Sequence, residues 1–180
     1  MKIIFISDNY YHCAGIEGSI TSVTTVRNKH DIDNCFFDSC ETYPVISIEN
    51  IQLRKAAIRK IRKKTNKYAV MMGELNNRQI FKIANIVYCS NDFPLGRMLY
   101  VAESNRRKYV ANFTPRELQV MQEMNQTNTE IASQLNMSAK TVSSYKIKIM
   151  NKLNDGLKNS LVFCKLKETF DESLALKGYI

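Results

Sequence analysis

An α/β unit built on parallel strands, followed by an all-α unit, is what this chain of 180 residues predicts. Three observations carry that prediction. Up to residue 108, short apolar runs closed by polar residues alternate with longer stretches of helical periodicity. From Thr114 onward no strand pattern remains. Within that second part, helix-start signals recur at Thr114, Thr127 and Ser138. The chain therefore divides into residues 1–108 and 109–180, with the join in "NRRKYVANF" (105–113), which has no helical stripe.

The first part reads as follows. "KIIFIS" (2–7), "NCFFDS" (34–39), "KYAVMM" (67–72) and "NIVYCS" (85–90) have the length and composition of buried strands, and "SVTTV" (22–26) is a further candidate. Helix-like stretches lie at 10–21, 49–65, 75–83 and 94–108. Strands alternating with helices imply a small parallel sheet with helices on its faces.

Composition bounds the function. At 44% hydrophobic and 24% charged residues, a packed core is within reach. No run of about 18 apolar residues exists, so no membrane partner is expected. The opening "MKIIFISDNYY" meets Asp8 and Asn9 after a short apolar run, which reads as a strand, not a signal peptide. Five scattered cysteines without a C-x-x-C pair read as reduced thiols of a cytoplasmic protein. Two isolated histidines, His12 and His30, give no metal signature, and no cofactor is expected. No nucleophile–base pair or phosphate-binding glycine loop points to an enzyme. The net charge of +9 suits an anionic partner. It is unevenly placed: residues 1–112 hold 17 basic and 10 acidic residues (+7), residues 113–180 hold 9 and 7 (+2).

The second part is a cassette of capped helices. In "FTPRELQVM", Thr114 and Glu117 form a T-x-x-E capping box, Pro115 suits the first helical position, and Phe113 and Leu118 are spaced for a hydrophobic staple. Thr127 and Glu130 repeat the box before Ile131 and Leu135. Asn136-Met137 then turns the chain and Ser138 caps a third helix, with Met137 spaced to staple onto Val142. Three capped helices in about 40 residues, the last two joined by a very short turn, spell a helix-turn-helix.

At about 100° per residue, Val142, Lys146, Ile149 and Leu153 share one face of the third helix. Lys146 is expected to lie along the rim of that face with its ammonium outward. The opposite face presents Lys140, Ser143, Ser144, Ile147, Lys148 and Asn151. A helix reading the DNA major groove needs short donors for base edges and cations for the flanking phosphates, and this face has both. The free N–H groups near Thr141 add a phosphate site. An outward Ile147 fits a thymine methyl.

At these residues the chain resembles the LuxR/FixJ-type helix-turn-helix of bacterial transcription regulators. The matching residues are Thr114, Arg116 and Glu117, then Glu130, Ile131 and Ala132, then Ser138, Lys140, Thr141, Val142, Lys152 and Leu153. The resemblance implies double-stranded DNA as partner, base-facing roles for Ser143, Ser144 and Ile147, and phosphate roles for Lys140, Thr141 and Tyr145. It also implies a fourth helix (157–169) with dimer contacts, for which Leu157, Leu161, Cys164 and Phe163 or Leu166 supply an apolar stripe; core packing is the alternative. Two features depart from the family pattern. The linker between the first two helices is the short "MNQTN", and Tyr145 stands where histidine is usual.

A short α/β unit ahead of such a cassette resembles a response-regulator receiver. Receivers hold Mg²⁺ on acidic residues after strand one, phosphorylate an aspartate after strand three, and use a hydroxyl and a lysine after strands four and five. Here Asp8 and Asn9 follow the first strand, and Asp38, ending "NCFFD", takes the phosphoacceptor's place as a vestige. The fourth strand ends in Met72-Gly73 and the fifth in Ser90-Asn91, so hydroxyl and lysine are missing. About thirty residues between Asp8 and Asp38 imply that the second helix is lost. The layout resembles auxiliary regulators of the RcsA and GadE type, with a truncated receiver-like unit that is not phosphorylated. The expectation is a phosphorylation-independent transcription regulator, dimeric with itself or with a full-length response regulator. The alternative is an interaction adaptor that recruits such a regulator and binds DNA weakly alone. The run "QLRKAAIRKIRKKTNK" (52–67), with eight cations and a buried stripe of Leu53, Ala57, Ile58 and Ile61, reads as a solvated face, a DNA-flank contact or an acidic-partner contact.

Overall fold

The computed structural model describes residues 2–16, 22–35, 42–75, 78–104, 113–153 and 160–174. The chain forms two compact units, residues 1–110 and 111–180. In the first, the strands are β1 (Lys2–Ser7), β2 (Ser22–Thr25), β3 (Thr42–Ser47), β4 (Tyr68–Met72), β5 (Ile80–Ile83) and β6 (Ile86–Ser90). They form one six-stranded sheet in the order β2-β1-β3-β4-β6-β5. All neighbours are parallel except the β5–β6 pair. The helices are α1 (Tyr10–Ile16), α2 (Lys29–Asn34), α3 (Ile51–Arg62) and α4 (Leu95–Glu103). The α/β expectation holds. The five parallel strands run in the 2-1-3-4-5 order of doubly wound folds, with the reversal of order between β1 and β3.

Side-chain alternation divides the core. Ile3 and Phe5 of β1, Tyr43 and Val45 of β3, Ala69 and Met71 of β4 and Val87 and Cys89 of β6 pack with Cys13 of α1 and with Met98 and Val101 of α4. Helix α3 packs on β3 and on α2, burying Ala57, Ile58 and Ile61. Lys82, inward on the edge strand β5, is 6% exposed and donates to the Ala102 carbonyl near the end of α4 at 3.0 Å.

Three sequence expectations need correction here. Of the strand expected at 34–39, Asn34 instead closes α2 and Cys35 caps it, while 36–39 lie outside the described residues; the third strand among the described residues is β3, Thr42–Ser47. Its Pro44 reads as a strand breaker, yet β3 pairs with β4 only from Val45 onward, so the proline precedes that ladder. The second helix is not lost but shortened to the six residues of α2, held by an Asn28–Asp31 capping box. The helix expected at 75–83 is not formed over 78–83, and 76–77 lie outside the described residues. Ile80–Ile83 is a strand that turns at Ala84-Asn85 straight into β6, pairing Ile83 with Ile86. Ala84 takes φ 52°, a value uncommon without glycine, which is why the hairpin left no turn signature.

Asp38 lies outside the described residues. The end of β3, where a receiver's acceptor belongs, holds Ser47. No helix among the described residues is long and apolar enough to cross a membrane.

Candidate nucleic-acid interface

The second unit contains α5 (Pro115–Gln122), α6 (Asn128–Gln134), α7 (Ala139–Lys152) and α8 (Ser160–Leu174). Each of the first three starts on a side-chain cap. Thr114 Oγ1 accepts from the Glu117 N–H at 3.2 Å while Glu117 Oε2 accepts from the Thr114 N–H at 2.7 Å. Thr127 and Glu130 form the same reciprocal pair at 3.3 and 2.8 Å. Ser138 Oγ accepts from the Thr141 N–H at 3.0 Å. These satisfy N–H groups that a short helix otherwise leaves without partners.

The turn between α6 and α7 is fixed by backbone geometry. Asn136 adopts φ 54°, and the Met137 N–H donates to the Ala132 carbonyl at 2.9 Å. A left-handed residue followed by that six-to-one bond is a Schellman stop, in which asparagine substitutes for glycine. Two residues later Ser138 starts α7, so the angle between the helices is set within a single turn.

Behind α7, Val142, Ile149 and Leu153 are fully buried with Ile131 of α6 and Val120 and Met121 of α5. Three cations brace this core. Lys152 Nζ meets Glu117 Oε2 at 2.6 Å, tying the end of α7 to the start of α5. Burial alone would raise the Glu117 pKa, but hydrogen bonds from Lys152 and Thr114 outweigh it and hold the carboxyl below its usual value. Arg116 donates to the Leu135 carbonyl at 2.7 Å, closing the C-terminus of α6. Lys146 donates to the Gln126 carbonyl at 3.1 Å, and desolvation lowers its pKa. Its ammonium therefore turns inward to an otherwise orphan turn carbonyl, contrary to the outward orientation expected from the sequence. Arg116, Glu117 and Lys152 were legible as motif positions, but their bracing roles join residues 19 and 35 apart, which no local pattern reports.

The outer side of α7 carries the predicted residues. Lys140, Thr141, Ser144, Ile147 and Lys148 are exposed, whereas Ser143 and Tyr145 are half-buried on its flanks. Ile147 is 59% exposed, among the few large hydrophobic side chains that the described residues leave in water. Thr141 Oγ1 lies 2.8 Å from Ser138 Oγ at the helix start. Ser144 Oγ donates to the Lys140 carbonyl at 3.1 Å, which leaves its lone pairs facing outward as acceptors. Lys148 Nζ sits 5.7 Å from the Tyr145 ring centroid, so the tyrosine holds a cation although it carries none. The face thus offers an acceptor, a bare aliphatic surface and flanking cations along about two turns of helix.

The family model described as "GerE: Bacterial regulatory proteins, luxR family" matches residues 111–162. That segment is a luxR-family helix-turn-helix domain. No curated protein matches the chain. Among solved structures, the chain is similar to the response regulator StyR at 15% identity, over 93% of this chain and 99% of that one, with a TM-score of 0.37. It is also similar to the RcsB response regulator of Salmonella typhimurium at 17% identity, over 92% and 97%, with a TM-score of 0.32. Scores this low carry no argument about how the two units are arranged.

Helix α8 extends past the matched segment. Among its described side chains Leu166, Thr169, Phe170 and Ser173 are buried, and it packs on α5. Leu157, at the start of the expected apolar stripe, lies outside the described residues.

The first unit has a second polar cluster, in the crevice at the carboxyl ends of β1 and β3 where doubly wound folds bind ligands. Asp8 accepts from the Glu49 N–H at 3.0 and 3.1 Å and from the Asn50 N–H at 2.9 Å. Arg54, 1% exposed, donates to the Ile48 and Glu49 carbonyls at 2.7 and 3.4 Å and pairs with Glu74 at 3.1 Å. The β3–α3 loop is thus clamped through its N–H groups by Asp8 and through its carbonyls by Arg54. Ser47 Oγ lies 3.1 Å from His12 Nδ1, and burial holds the His12 pKa below its usual value against the opposing pull of Glu49.

Proposed function

We propose that the chain is a sequence-specific, DNA-binding transcription regulator that acts without phosphorylation, as a homodimer or with a full-length response regulator. The observation that carries the DNA reading is the outer face of α7, with Ile147 exposed between Ser144 and Lys148 on a luxR-type domain. Ser144 and Ile147 meet base edges, with Ser143 alongside. Lys140, Thr141, Tyr145 and Lys148 hold the phosphates on either side. Two copies place two such helices on a site with dyad symmetry.

Phosphorylation independence is supported by the crevice. A phosphoryl switch needs a free acidic group for Mg²⁺ and an acceptor aspartate at the end of β3. Asp8 instead accepts three hydrogen bonds from backbone N–H groups of the β3–α3 loop, and Ser47 stands at the strand end beside His12.

A second reading, the adaptor, is favoured by one observation: the net charge of residues 113–180 is only +2. The test is selection from a genomic fragment pool by the purified full chain, at moderate and high salt, with and without a small phosphodonor. The regulator reading expects a motif with dyad symmetry, unchanged by the phosphodonor. Weak, sequence-blind binding that becomes specific only when a response regulator is added would establish the adaptor. A phosphodonor-dependent motif would refute phosphorylation independence.

A further inference from the structure

The eight cations of residues 54–67 do not form one surface. Arg54 is buried against Glu74. Lys60 donates to the Ile32 and Asp33 carbonyls in the last turn of α2. Lys55, Arg59 and Arg62 are engaged by other groups of the chain. Lys63, Lys64 and Lys67 are exposed, and among the described residues no carboxylate pairs with them. They share one compact turn: the Lys64 and Thr65 N–H groups both donate to the Ile61 carbonyl, and the Lys67 N–H donates to Thr65 Oγ1 at 3.1 Å. Strand β4 starts at the next residue, Tyr68, so the cluster lies at the amino ends of the parallel strands, on the rim opposite the Asp8 crevice. No aspartate or glutamate occurs from Ile51 to Gly73.

Two further observations choose the partner. The unit that carries α7 is nearly neutral, and seven of the nine net positive charges lie in residues 1–112. Most of the attraction to a polyanion therefore belongs to the other unit. The large exposed hydrophobics among the described residues are Tyr10, Tyr11, Tyr100 and Ile147, none of them in the segment from Ile51 to Tyr68 that carries this turn. A protein partner needs an aromatic or aliphatic anchor, whereas the DNA backbone needs only cations, and lysine ammoniums serve as mobile point charges.

We propose that Lys63, Lys64 and Lys67 form a second, sequence-independent contact with the DNA sugar–phosphate backbone, flanking the site held by α7. The proposal rests on the DNA reading of α7. Because the two contacts belong to one chain, a weak cluster adds to affinity through effective concentration.

The test compares the full chain with its Lys63→Gln/Lys64→Gln/Lys67→Gln variant by fluorescence anisotropy across a salt series. Two duplexes are used: one ending at the selected motif, one with about 20 further base pairs on each side, beyond the span of a single α7. On the long duplex the variant should bind on the order of ten-fold more weakly at low salt, with a slope of log K against log [salt] shallower by about 2–3. On the short duplex the two should coincide. A Lys63→Arg/Lys64→Arg/Lys67→Arg variant should restore the long-duplex slope, which a merely misfolded protein would not. Equal slopes on the long duplex overturn the proposal. So does an unchanged DNA slope with lost capture of an acidic protein, which would assign the cluster to a protein partner. Failure of the unaltered chain to bind either duplex would overturn the α7 reading and this one with it. With α7 sound, only the long-duplex comparison changes.

Discussion

The crevice at the carboxyl ends of β1 and β3 and the outer face of α7 are both polar, and both match a known kind of site, but their side chains are committed differently. In the crevice, Asp8 and Arg54 are both committed to the β3–α3 loop, and Glu74 is committed to Arg54. On α7, the bracing groups Lys146 and Lys152 turn to the core side, Lys152 onto Glu117 of α5, and the residues opposite them keep their outward atoms available. A motif position tells which residue type is present. Only the partners around it tell whether that residue is still free to act on something else.

The largest effect that sharpens this contrast comes from the clamp. Arg54→Met leaves Glu74 and two loop carbonyls without their cation, and breaking a buried pair from one side costs about 3–5 kcal/mol. Urea unfolding should show the first unit melting early while the second keeps its transition. A loss below about 1 kcal/mol would mean that the clamp is ornamental.

The cap of α7 comes next. Ser138→Ala should destabilise the second unit by about 1 kcal/mol, read as a lower thermal midpoint, and should weaken DNA binding by fraying the turn that holds Thr141. Binding that stays intact at a lower midpoint would separate the cap from the site.

Smaller still is the acid response of the α5–α7 brace. Glu117 titrates below its ordinary 4.5 when folded, so the folded unit keeps a charge that the unfolded chain has begun to lose. Its stabilisation is full above 4.5 and disappears as pH falls through the lower folded value. With Lys152 partly in water, the contribution is about 1 kcal/mol. Glu117→Gln should flatten stability against pH in that window, and an unchanged profile would assign the acid sensitivity elsewhere.

How much of this was legible in the sequence follows from the range of each signal. Both capping boxes and the Ser138 cap were readable because they join residues three apart, and each is formed. The same holds for the buried side of α7, whose Val142, Ile149 and Leu153 follow helical spacing. Lys146 was misjudged because its acceptor, the Gln126 carbonyl, lies 20 residues away. In the first unit, β3 was hidden by Pro44, and the β5–β6 hairpin by a turn at Ala84 without glycine or proline. Misplacing β3 put Asp38 in the acceptor's position, although the strand end belongs to Ser47. The Asp8 clamp spans 41 and 42 residues and is visible only once the chain has folded.

The central claim is that the outer face of α7 reads DNA, and one selection experiment meets it directly. Binding motifs are selected in parallel for the unaltered chain and for its Ile147→Ala, Ser144→Ala and Lys140→Ala variants. The account predicts that Ile147→Ala relaxes a preference for thymine at one position in each half-site and that Ser144→Ala changes the preferred base at a neighbouring one. Lys140→Ala should keep the motif and lower affinity on all sequences alike, with a shallower salt slope. Identical motifs for all four proteins, with Lys140→Ala as tight and as salt-dependent as the unaltered chain, would contradict it.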